Sequence, residues 1–181
     1  MRLWATLRDA VVGWRLILAG APSWRERFSL TRPGLVTAFG LFVIIVLLAL
    51  SVASLDYGLP SVVALVAGLI VQVLPIAALL LAVWTTRKAV GGSDSWLGLL
   101  IPAIYLLMAF VPLEGLVVAL AGGPLVMLTW IALGYGYFRL ARAATLWSRG
   151  VSASFAILAV LLLVAMRIAL YILSNQPASP I

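Results

Sequence analysis

Arg167 differs from the other eleven Lys and Arg residues of this 181-residue chain: it lies inside a long apolar run, about two helical turns before that run ends. A guanidinium at mid-membrane costs roughly 2.5–3.5 kcal/mol on insertion scales, so such a residue is usually paired or functional. Its candidate partners are Glu114 and Asp56, both expected on the same side of a membrane, and Tyr171, four residues on, shares its helical face. One reading makes Arg167 and Glu114 an outward-facing anion or proton site. The competing reading has Arg167 snorkel to the headgroups and form a structural ion pair. Gln72 is the strongly polar side chain nearest the middle of a run, and Pro75 beside it removes one backbone hydrogen bond and is expected to kink its helix. Gln72 either lines a solute path or bonds to a neighbouring helix, a contact that contributes about 1 kcal/mol or less. Arg167, Glu114, Gln72 and Asp56 together form the candidate intramembrane polar site. Gly134, Tyr135, Gly136 and Tyr137 invite close helix approach, or a ligand contact.

Other chemistries lack their residues. With no cysteine and no histidine, disulfides, thiolate nucleophiles, haem ligation through His and most zinc sites are removed. The five acidic residues are scattered over separate segments, with no nucleophile elbow and no glycine-rich phosphate loop. The expectation is a protein that is not an enzyme, with no cofactor and no metal.

Lipid must position the candidate residues. Hydrophobic residues make up 65% of the chain and charged ones 9%, with a mean hydropathy of +1.23. Soluble domains are roughly 45–50% apolar and about 25% charged. A span needs about 20 apolar residues to cross about 30 Å of hydrocarbon. The apolar runs cover residues 34–54, 59–84, 96–111, 125–140 and 152–173. The fold class expected is therefore all-α: an integral membrane bundle of about five transmembrane helices, preceded by an amphipathic interfacial helix.

The basic residues orient that bundle. Arg2, Arg8, Arg15, Arg25, Arg27 and Arg32 precede the first run, Arg87 and Lys88 follow the second, and Arg139, Arg142 and Arg149 close the fourth. The gaps after the first and third runs hold Asp56 and Glu114 and no cation. This alternation is the positive-inside pattern, with the N-terminus in the cytoplasm and the C-terminus outside. It accounts for the net charge of +7 without a nucleic-acid or other anionic partner. The expected partners are the lipid bilayer and other membrane proteins or further copies of the chain.

Residues 1–33 are expected as a cytoplasmic amphipathic helix and linker, 34–174 as the membrane domain and 175–181 as a short outer tail. Leu3, Leu7, Val11, Trp14 and Leu18 recur at spacings of three and four, which gathers them on one helical face. That helix lies in the interface or packs on the span ends. Arg8, Asp9 and Arg15 interrupt any signal-peptide core. Trp24, Phe28 and the tryptophans near the run ends suit an aromatic belt at headgroup level, whereas Trp130 falls away from the ends. Between the third and fourth runs, Pro112 to Gly115 is one turn signal and Gly122, Gly123 and Pro124 a stronger one. The third span ends near Val111 or continues bent to Leu120, with the break at 122–124.

Gly13-Trp14-Arg15-Leu16, then Phe28-Ser29-Leu30, then Gly34 with Ala38-Phe39 resembles the opening of a group of small bacterial inner-membrane proteins, some of them labelled transporters. The five-run layout resembles the Yip-type five-span membrane family. The acidic, Tyr- and Gly-containing motifs of the eukaryotic Yip proteins are missing from the expected spans, so vesicle traffic and small-GTPase binding do not carry over. The resemblance implies an architecture and a bacterial inner-membrane location, and no mechanism. The expected function is a non-enzymatic partner subunit or membrane-organising protein, with a small permease or transporter component as the alternative.

Overall fold

The computed structural model describes residues 2–53, 62–91, 96–121 and 123–174, and among them no strand forms. The elements are α1 (Arg2–Ala19), α2 (Arg32–Ala53), α3 (Val62–Val90), α4 (Leu97–Ala121), α5 (Val126–Ala144) and α6 (Arg149–Ser174). Short 3-10 turns cover Pro22–Arg27 and Gly123–Leu125. Asp56 and the tail at 175–181 lie outside the described residues.

Among the described residues, four helices are long and apolar enough to cross a bilayer, over Arg32–Val52, Gly68–Val90, Leu97–Ala121 and Arg149–Ile172. Their outer faces are apolar too: Val36, Ile44, Leu48, Ile70, Leu161 and Ile168 are all exposed. Apolar surface on that scale requires lipid as its solvent. α5 is not among these four. Its 19 residues form a helix, but Thr129, Tyr135, Tyr137, Arg139 and Arg142 lower its apolar content below that of the other four.

α4 is the central helix. Gly98 to Tyr105 are buried without interruption, so at that end α4 is enclosed on every side, by α1, α2, α3 and α5. The far half of α4 opens to the outside through Leu113, Leu116, Val118 and Leu120. α4 runs unbroken through Pro102 and Pro112, and the turn falls at Gly123–Leu125. α3 packs along α6, and α5 lies against both α4 and α6.

At the arginine-rich end, α1 docks on the bundle through a different stripe from the one its large residues suggest. Ala10 and Ile17 are buried, Leu7 and Trp14 pack beside them, and Val11 and Leu18 are exposed. The small residues Ala10 and Gly13 decide this: they let the helix approach closely, and Gly13 sits directly against the Phe28 ring. The Trp14 indole N–H donates to the Pro102 carbonyl at 2.9 Å. The exposed stripe alternates Trp4, Arg8, Val11, Arg15 and Leu18, the composition of a helix lying in a headgroup layer. Gly20, at φ +77°, ends α1, with Ala21 N–H donating to Leu16 O at 3.0 Å and Gly20 N–H to Ile17 O at 3.1 Å.

Three belt residues turn inward instead. Trp24 and Phe28 are buried edge to face with centroids 6.1 Å apart, Phe28 continues onto Tyr105 at 5.8 Å, and Trp147 is buried on Phe155 at 5.7 Å. The loops carrying them fold back on the bundle, where aromatic packing outweighs an interfacial position.

Candidate functional site

Glu114 lies seven residues before the end of α4 and Arg167 seven before the end of α6. At 1.5 Å per residue both sit about 10 Å inside their helix ends, at matched depth. Arg167, on an otherwise apolar stretch of α6, pairs with Glu114. The pairing is bidentate: Arg167 Nη1 donates to Glu114 Oε1 and Arg167 Nη2 to Oε2 at 2.9 Å. The side chains are 20% and 13% exposed, so the pair is shielded from solvent. The Trp130 indole N–H, from the first turns of α5, donates to the same Oε1 at 2.9 Å. α4, α5 and α6 are thus tied by one carboxylate.

Gln72 joins this pair from α3. Gln72, Glu114, Arg167 and Tyr171 line one cavity of about 660 Å³, walled by Ala49 and Leu50 of α2 and by Val71, Val111 and Val118. Among the described residues, two atoms of the cavity-lining side chains are buried without a hydrogen-bond partner: Gln72 Oε1, an acceptor, and Arg167 Nε, a donor. Pro75 adds a third feature. Its missing N–H is the one that would pair with the carbonyl of Val71, which also lines the cavity. Buried polar groups are nearly always satisfied, and both atoms belong to residues that line the cavity, so this wall keeps unused hydrogen-bonding capacity.

The charges cancel within the pair, and both Arg167 terminal nitrogens are engaged. The arrangement therefore suits an uncharged polar group better than an ion. Three of the four expected site residues converge; Asp56 lies outside the described residues. Sequence pattern set Trp130 apart from the aromatic belt but gave it no partner.

The glycine and tyrosine cluster of α5 serves packing. Tyr137 is buried with its ring 6.2 Å from Phe155, and Gly136 backs onto Leu106. Tyr135 points outward and is exposed.

No family model, no curated protein and no solved structure matches the chain.

Proposed function

We propose that this chain is a small integral membrane protein that binds an uncharged polar solute in an intramembrane cavity, as a permease or transporter component. The observation that carries this is the convergence of Gln72, Glu114 and Arg167 on one cavity with unpartnered polar atoms. Within the continuous α3, Pro75 also leaves the Val71 carbonyl without its helical N–H partner beside the cavity. Five spans are few for a lone carrier, so the reading calls for an oligomer or a partner. Proteoliposomes carrying the full chain should swell in glycerol or urea faster than empty vesicles, and Gln72→Leu should abolish the difference. Equal rates for wild-type and empty vesicles would sink the permeation reading.

A second reading, a non-enzymatic partner subunit or membrane-organising protein, draws on the groove between α5 and α6. Gly134, Ala153 and Ala156 line it, and small residues let another helix approach closely. A stoichiometric partner after mild-detergent purification would favour it, and a partner-free chain would count against it.

For topology, we infer that α5 is a fifth crossing. Its first turns reach Glu114, while its last turns hold α1 at the arginine-rich end. Its 19 residues measure about 28 Å, close to the hydrocarbon thickness. Five crossings with a cytoplasmic arginine-rich end in a bacterial inner membrane match the layout of the Yip-type family, and the likeness extends to architecture alone.

A further inference from the structure

The arginine-rich end holds a second cavity, of about 630 Å³, between the end of α1, the turn after it, the end of α5 and the start of α6. Arg139, Arg142 and Arg149 line it, and no acidic side chain does. Two of these arginines are held in place by backbone carbonyls. Arg139 Nη2 donates to Ile17 O at 3.3 Å and Leu18 O at 2.5 Å, closing the end of α1, and Arg142 Nη1 donates to Trp147 O at 2.7 Å. Arg149 has no hydrogen bond or ion pair among the described residues, and it is exposed. Positive-inside charge alone requires only that arginines lie near the span ends. It does not require three from two helices to share one concave site.

We propose that this cavity binds a phosphate-bearing anion, the phosphodiester headgroup of an anionic phospholipid or a soluble phosphate. Planar guanidinium forks match phosphate oxygens in pairs, and forks already anchored lose little freedom on binding. The volume lies within the roughly 300–1,000 Å³ of small-molecule sites. Basic pockets between the cytoplasmic ends of spans are suited to anionic headgroups, and α1 beside the cavity presents Trp4, Val11 and Leu18 outward. The bound headgroup would tie α1 to the turn between α5 and α6.

The test is native mass spectrometry of the full chain released from phosphatidylcholine nanodiscs doped with phosphatidylglycerol. The wild type should retain phosphatidylglycerol, and Arg142→Gln with Arg149→Gln should weaken retention by about tenfold or more. Arg87→Gln with Lys88→Gln removes the same charge elsewhere and should leave retention unchanged. Inorganic phosphate that displaces the lipid identifies a soluble phosphate as a competent occupant; failure to displace assigns the site to the headgroup. Equal losses in the two double variants, or none in either, would overturn the proposal. If the Arg142 and Arg149 double variant fails to fold, Arg149→Gln alone carries the same comparison.

Discussion

Removing the Glu114 carboxylate should cost the bundle far more than one hydrogen bond. Glu114→Ala deletes the acceptor of two bonds from Arg167 and one from Trp130. Side-chain exposures of 20% and 13% make the pair partly buried; losing one partner of a fully buried pair costs about 3–5 kcal/mol. Arg167 keeps a route toward the far helix ends, which moves the expectation to the low end, about 3 kcal/mol. Arg167→Met should cost a similar amount, about 3 kcal/mol, because a carboxylate then remains with Trp130 alone. The double variant leaves no unpaired charge, only a Trp130 N–H without its acceptor. Its expected cost is again about 3 kcal/mol, giving a coupling of about 3 kcal/mol. The assay is detergent-mixed-micelle unfolding with sodium dodecyl sulfate, followed by circular dichroism. A double variant about 6 kcal/mol less stable than wild type, the additive result, would refute a direct pair. So would single variants within about 0.5 kcal/mol of wild type.

Other substitutions separate backbone from side-chain effects. A methyl at Gly34 would run into the Ser29 carbonyl, so Gly34→Ala should destabilise by about 2 kcal/mol, whereas Gly40→Ala, with open space around it, should stabilise by about 0.5 kcal/mol in the same titration. Arg139→Met removes the donor closing α1 and should speed proteolytic cleavage within residues 2–20; an unchanged cleavage rate would show that α1 docks without it. A periplasm-active reporter fused after Ser174 should be active with five crossings, and inactivity there would mean that α5 does not cross.

Apolar runs place five of the six helices to within a few residues, except for the extension of α4 past Val111 and of α3 past Trp84. Long-range pairing was partly legible, because a lone arginine and a lone glutamate in apolar surroundings have few alternatives to one another. Trp130 was not, since its contact with Glu114 depends on how α5 turns back at Gly123–Leu125. The face of α1 was misread for a related reason. Periodicity finds large apolar residues, but docking favoured the small ones, Ala10 and Gly13, and left Val11 and Leu18 outward. The arginine cavity is invisible to sequence because Arg139, Arg142 and Arg149 meet the end of α1 only in three dimensions.

The account rests on the Gln72 cavity being open to water and polar solutes. The chain has no cysteine, so Gln72→Cys and Ile70→Cys each carry a single thiol, one lining the cavity and one on the exposed face of α3. Each is reacted in proteoliposomes with a membrane-impermeant cationic thiosulfonate. Modification is expected at position 72 and none at position 70. Equal inertness at the two positions would mean a cavity sealed from water, and would contradict that expectation.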